Sequence, residues 1–264
     1  MKISRLFIYP VKSCSGIEVN SLSFDRDGPV GDRRFVIASP AGDFITQREV
    51  PAMAHIQPEF NAGDLVLTYP GRSEIRVSTR SSAKPQRVRI WSDEITGVDC
   101  GNEVATWLSG ILARSARLFM LPEQNPRRAD TEYAPEDTAV GYADGFPLLV
   151  VTQESLDALS EAAELPVDVR RFRPNVVVEG AASAFVERGW TALNTDNGEQ
   201  LTLVKPCERC VIPTRDPDTL ERSPEVMSAL KALCRLDGRI IFGQNALFTG
   251  KRLGVGETLF AQSE

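Results

Sequence analysis

Phe35-Val36-Ile37-Ala38-Ser39-Pro40-Ala41-Gly42-Asp43-Phe44-Ile45-Thr46-Gln47 places two apolar runs on either side of a Pro-Ala-Gly-Asp turn, the pattern of a β-hairpin. The same grammar recurs on both sides of it. Leu65-Val66-Leu67-Thr68 follows the turn residues Asn61-Ala62-Gly63-Asp64, and Gln86-Arg87-Val88-Arg89-Ile90-Trp91 alternates polar and apolar residues as a strand with one wet face does. Between them Arg80-Ser81-Ser82-Ala83-Lys84-Pro85 reads as a surface loop. Further along, Asn175-Val176-Val177-Val178, Gln200-Leu201-Thr202-Leu203-Val204 and Ile240-Ile241-Phe242 read as additional strands.

Helices are fewer. From Asn102, the residues Val104, Trp107, Leu108, Ile111 and Leu112 recur at helical spacing and make one buried face. Thr152 caps a second helix, with Glu154 in its first turn and Leu156, Leu159 and Ala163 on one side. Ser223-Pro224-Glu225 is a cap followed by proline at the first helical position, ahead of Val226, Leu230 and Leu233. The regular strand-helix alternation of a doubly wound sheet is missing, as are G-x-G-x-x-G and Walker A loops. These features predict a mainly β fold with a few helices (α+β) in two lobes. The loop-like residues 122–146 form the boundary, which divides the chain into 1–121 and 122–264.

The chain has 264 residues, of which 42% are hydrophobic, with 30 Lys and Arg against 36 Asp and Glu for a net charge of −6. That acidity argues against binding a nucleic-acid duplex, yet it leaves room for a local basic pocket. The N-terminal apolar run Leu6-Phe7-Ile8-Tyr9 is too short for a signal-peptide core. No stretch approaches the roughly 18 apolar residues of a membrane span. A cytoplasmic protein that does not engage a membrane is expected. Five cysteines, an odd number, read as thiols and not as a disulfide framework. The single histidine, His55, rules out His-rich zinc or iron sites and leaves little room for a Ser-His-Asp relay.

Three segments can carry chemistry. Cys207-Glu208-Arg209-Cys210 is a C-x-x-C pair: half a zinc site, a redox dithiol, or two thiols of which one is a ligand or nucleophile. Zinc would need two more ligands from Cys14, Cys100, Cys234 or His55, none of which forms a second close pair. Pro213 and the turn Asp216-Pro217-Asp218-Thr219 follow, so the pair sits where a strand enters a loop and does not open a helix. Two buried, inert cysteines are the plain alternative. The second segment, Tyr9-Pro10-Val11-Lys12-Ser13-Cys14-Ser15-Gly16, can offer Lys12, Ser13 and turn N–H groups to a phosphate, or be solvated surface. The third is arginine density: Asp32-Arg33-Arg34-Phe35, Gln47-Arg48 and Arg170-Arg171-Phe172-Arg173. Guanidinium forks suit phosphate or carboxylate, and salt bridges to the protein's own acids are the alternative use.

In order, Tyr-Pro-Val-Lys-Ser-Cys at 9–14, Asp-Arg-Arg-Phe at 32–35, Thr-Gln-Arg at 46–48, Phe-Arg-Pro-Asn at 172–175, Cys-Glu-Arg-Cys at 207–210, Asp-Pro-Asp-Thr at 216–219 and Gly-Val-Gly-Glu at 254–257 resemble the two-part MOSC proteins. These join an N-terminal β-barrel domain to a MOSC β-barrel domain. Within that family the chain is similar to the mitochondrial amidoxime reducing components and to bacterial reductases of N-hydroxylated purines.

The resemblance implies a molybdenum cofactor in its molybdopterin form. Cys210 would be the molybdenum ligand and catalytic residue, with Lys12, Ser13, Arg33, Arg173 and Asn175 holding the pterin and its phosphate. Arg209, Gly145 and Phe146 would line the same cleft. It further implies two-electron reduction of an N–O bond in a small N-hydroxylated substrate, for which Asp144 is the candidate acid. No iron–sulfur cysteine spacing precedes Glu264, so electrons are expected from a separate protein, a ferredoxin or a flavin/iron–sulfur reductase. The alternative is a sulfur carrier or cofactor-handling protein that uses a Cys210 persulfide.

Overall fold

The computed structural model describes residues 1–80 and 83–263. Ser81 and Ser82, within the loop expected at 80–85, lie outside the described residues. Strands hold 41% of the residues and helices 18%, so the fold is mainly β.

One large sheet organises the C-terminal lobe. From edge to edge its strands run Leu259–Ser263, Trp190–Thr195, Gln200–Glu208, Arg239–Phe248, Leu148–Thr152, Val176–Glu179, Lys2–Ile8 and Ile17–Val19. The chain's first strand is therefore built into a sheet whose central and later strands come from residues 148–263, with Leu6 paired antiparallel to Val176. Leu148–Thr152 and Val176–Glu179 are parallel, joined through helix α2 (Gln153–Ala163). Both faces of this sheet are covered. Ile3, Leu6, Val150, Val176 and Val178 face one core, while Phe7, Val151 and Val177 face the other beneath α2 and helix α3 (Pro224–Leu233). Burial on two sides explains why these central strands are apolar runs with no alternation.

The N-terminal lobe packs smaller sheets on helix α1 (Asn102–Leu112), whose Val104, Leu108 and Leu112 meet Leu65, Leu67 and Ile75. Gln57–Asn61 and Asp64–Tyr69 form the expected hairpin, and Gln86–Ile90 the expected half-wet strand with Val88 and Ile90 inward. Phe35–Ala38 is a strand, but the expected return arm at 44–47 is not. Phe44 makes a single bridge to Ala38, and then the chain turns away while burying Ile45, Thr46 and Gln47.

Two caps behave differently. The Thr152 hydroxyl accepts from the Ser155 N–H at 3.3 Å as predicted. Ser223 makes no side-chain cap, and its hydroxyl accepts instead from Arg171 at 3.4 Å. Near the first cap, buried Glu187 accepts from Ser155 Oγ at 2.8 Å and Thr152 Oγ1 at 3.1 Å. Burial raises its carboxyl above the ordinary 4.5. A raised folded-state pKa stabilises below the unfolded value and loses that stabilisation as pH rises through the folded one. Melting temperatures from about pH 4.5 to 7 are therefore expected to favour Glu187→Gln increasingly over wild type as pH rises. A pH-independent difference would refute this.

Candidate functional site

Between the lobes lies a cleft of about 650 Å³. Its base forms where the strand Lys2–Ile8 ends and the chain runs on beside the N-terminal lobe, with Lys12 N–H donating to the Phe35 carbonyl at 2.8 Å and Arg33 N–H to the Tyr9 carbonyl at 2.8 Å. Asp32, buried here, is a hub. It accepts from the Tyr9 N–H at 2.8 Å, from Arg33 Nη1 at 2.7 Å on both oxygens, and from Asn175 Nδ2 at 3.1 Å. Asn175 also donates to the Phe7 carbonyl at 3.1 Å and accepts from Leu149 N–H at 3.2 Å and Arg33 Nη1 at 3.0 Å. Both ends of its amide are thus committed within the protein, and its effect on the cleft is to orient Arg33.

The guanidinium carbons of Arg33 and Arg173 lie 4.4 and 4.3 Å from the centre of the Tyr9 ring, in cation–π contact. Arg173 has a positive φ of 56° and donates to the Cys14 carbonyl at 2.5 Å. Among the described residues no carboxylate pairs with it. Burial, reinforced by the Arg33 charge, lowers its guanidinium to about 10, so it is still a cation at neutral pH. Two neighbouring half-buried cations with one carboxylate between them favour an anion in the cleft.

Opposite, Lys12 Nζ donates to the Tyr142 carbonyl at 2.9 Å and to Asp144 Oδ1 at 2.6 Å, and the Trp91 indole donates to the same oxygen at 3.1 Å. Burial lowers the Lys12 ammonium, with Asp144 offsetting part of that. The cleft walls work against the Asp144 charge, but water reaches 80% of its side chain and Lys12 holds its carboxyl well below the usual range. Asp144 is therefore a carboxylate at neutral pH and a poor proton donor, with Lys12 Nζ donating to it. Arg127, buried, fastens this wall by donating to the Gly141 carbonyl at 2.8 Å, the Asp144 carbonyl at 3.0 Å and the Asp93 carboxylate at 2.8 Å. A side chain at Gly141 would place its Cβ 2.8 Å from the Arg33 carbonyl, so the close approach of this loop requires glycine. Gly145 faces open space, and Phe146 packs edge-on against Tyr133 with centroids 6.4 Å apart.

The C-x-x-C pair lies where the strand Gln200–Glu208 enters a loop, as its flanking prolines and turn predicted. Cys207 is half-buried, and burial raises its pKa, keeping it a thiol. Cys210 is exposed, and its Sγ accepts from the Ile212 N–H at 3.5 Å. Arg209 donates through Nε to the Phe242 carbonyl at 2.8 Å and through Nη1 to that of Phe172 at 3.0 Å, while its buried Nη2 has no partner. Arg170 and Arg171 take the plainer role. They bind Asp218 (2.6 Å) and Asp216 (2.8 Å) and so brace the loop after Cys210. All five cysteines are free, and among the described residues no three His, Cys, Asp or Glu cluster as a metal site. His55, outside this cleft, bonds to the Asp218 carbonyl at 2.8 Å.

All nine residues singled out from the sequence, Lys12, Ser13, Arg33, Gly145, Phe146, Arg173, Asn175, Arg209 and Cys210, line this one cleft. Its lining carries eight Lys or Arg against three Asp or Glu, in a chain of net charge −6. Three buried polar atoms without partners, Thr46 Oγ1, Arg171 Nε and Arg209 Nη2, belong to lining residues. Unsatisfied buried donors are rare in folded proteins, and a bound water or ligand is one way to complete those that border a cleft. An anionic, donor-seeking group with room for one soft thiolate fits these residues.

The MOSC N-terminal beta barrel domain matches residues 1–115, and the MOSC domain matches residues 137–259. This chain belongs to the MOSC family. Mitochondrial amidoxime reducing component 2 of Bos taurus is 32% identical over 93% of the chain and 76% of its own length. The Homo sapiens protein of that name is 32% identical over 93% and 77%, and human component 1 is 31% identical over 93% and 76%. No helix among the described residues of this MOSC protein is long and apolar enough to cross a membrane.

Sequence reading missed Asp32, Trp91 and Arg127 as site residues of the MOSC protein. Trp91 left a signal, an aromatic residue in a tight turn after an alternating strand. Asp32 lies inside the quoted Asp-Arg-Arg-Phe run, but its bonds to Tyr9 and Asn175 have no local signal; Arg127 left none, because its partners Asp93 and Gly141 are distant in sequence.

Proposed function

We propose that this MOSC protein is a molybdenum-cofactor-dependent reductase of N-hydroxylated compounds, with its two parts at 1–121 and 122–264 enclosing the cofactor. The supporting observation is the exposed Cys210 thiol beside a cleft whose cations and unpartnered buried donors await an anion. A thiolate is a soft donor suited to molybdenum, and charge-assisted hydrogen bonds suit a pterin phosphate. Cys210 Sγ would ligate the metal. Ser13, Arg33, Arg173 and Arg209 would hold the pterin and its phosphate, with Gly145 and Phe146 shaping the wall and Asn175 fixing Arg33. When bound, the cofactor supplies the two-electron redox chemistry. The net change is R–NHOH plus two electrons and two protons giving R–NH2 and water. Lys12 keeps a proton beside the Asp144 carboxylate at the water-accessible wall.

These 264 residues hold no iron–sulfur cysteine spacing. In this reading a separate ferredoxin or flavin/iron–sulfur reductase would supply the electrons, in a cytoplasmic setting. Protein expressed in a cofactor-competent host is expected to contain about one molybdenum and one pterin per chain and to reduce an amidoxime when given electrons. Metal-free, pterin-free protein from such a host would refute the reading. Mass spectrometry of the same protein, with Cys210 carrying one added sulfur of about 32 Da and no pterin, would instead favour a sulfur carrier.

A further inference from the structure

Trp91 is an unusual residue for its place. It opens the two-residue turn between Gln86–Ile90 and Asp93–Asp99 with a positive φ of 53°, where glycine, asparagine or aspartate is favoured. Its side chain is 44% exposed. A strained turn and an exposed indole both disfavour tryptophan, yet the ring is held from three sides. Its Nε1 donates to Asp144 Oδ1 at 3.1 Å, Phe44 packs edge-on at 4.9 Å, and the Arg48 guanidinium lies 5.3 Å from its centre. Arg48 is exposed and, among the described residues, has no carboxylate partner. Trp91 and Arg48 both line the cleft, as does Leu236, 45% exposed, on a hairpin of the other lobe.

The base of the cleft is cationic, and its rim presents the exposed apolar surfaces of Trp91 and Leu236 among charged residues. An exposed π surface with a guanidinium over one face recognises another planar conjugated group by stacking on the other. We infer that Trp91, backed by Arg48, is a specificity-determining platform that selects substrates whose N-hydroxylated nitrogen is attached to an aromatic system over aliphatic ones. The ring rests on the indole at the rim and the N–O group points inward. This deepens the reductase reading, on which its turnover arm rests; its binding arm does not depend on that reading.

The test compares benzamidoxime with acetamidoxime in wild type, Trp91→Ala and Trp91→Phe, using molybdenum-loaded protein. The ratio of kcat/KM for the aromatic over the aliphatic substrate is expected to fall about tenfold in Trp91→Ala, mainly through KM. It stays within about threefold of wild type in Trp91→Phe, which keeps a ring and loses the bond to Asp144. Calorimetric binding of the two amidoximes without an electron donor is expected to show the same loss of discrimination. An unchanged ratio in Trp91→Ala, in both turnover and binding, overturns the inference. Discrimination in binding without turnover of either compound supports the role of Trp91 and overturns the reductase reading.

Discussion

Cys210→Ala is expected to leave a folded protein that holds no molybdenum and reduces no N-hydroxylated substrate. Cys210 is exposed, its one hydrogen bond is a weak acceptance from Ile212 N–H, and no packing depends on it. Its loss should shift stability by no more than about 0.5 kcal/mol, the usual range for a surface change. As the proposed single protein donor to the metal, it has no substitute. Lys12, Arg33 and Arg209 do not ligate a soft metal, and Cys207 is kept protonated by burial. Metal analysis and turnover should both fall to background while the melting curve is retained. Cys207→Ala is the control and is expected to keep its molybdenum. Retention of metal by Cys210→Ala, or its loss from Cys207→Ala alone, would reassign the ligand.

Asp32→Ala is expected to cause the largest loss of stability, about 3–5 kcal/mol, typical of removing one partner of a buried ion pair. The Asp32 carboxylate pairs with Arg33 at 2.7 Å in a setting where both side chains are largely buried. Without it, the Arg33 charge, the Tyr9 N–H and one Asn175 amide hydrogen all lose an acceptor. Asp32→Asn, which keeps an acceptor but not the charge, should lose less. Urea unfolding of the two variants against wild type checks the order. An unchanged midpoint for Asp32→Ala would mean that water or a rearranged Asn175 replaces the carboxylate.

Local elements were legible where local chemistry decides them. The hairpin across Asn61–Asp64, the helices begun at Asn102, Gln153 and Pro224, and the strand-to-loop position of Cys207 and Cys210 all follow from periodicity and turn residues. The expected strand at 44–47 failed because Ile45 serves the lobe core while Thr46 and Gln47 turn to the cleft wall. The Ser223 cap failed because Arg171, 52 residues earlier, takes its hydroxyl. Arg170 and Arg173 look alike in sequence. One is neutralised by Asp168 and Asp218, and the other stands on Tyr9 without a carboxylate.

The sequence by itself determined the β-rich class, the helices, the free thiols and, through its ordered motifs, the MOSC family and the residues that share one cleft. Only the tertiary structure decided which of those residues are available to a ligand. It committed the amide of Asn175 to Asp32 and Arg33, made Asp144 a carboxylate that accepts from Lys12, and brought Trp91 to the rim. The physical reason is that availability depends on which partners reach each polar group. Here those partners, such as Asp32 for Asn175 and Tyr142 for Lys12, lie more than a hundred residues away along the chain.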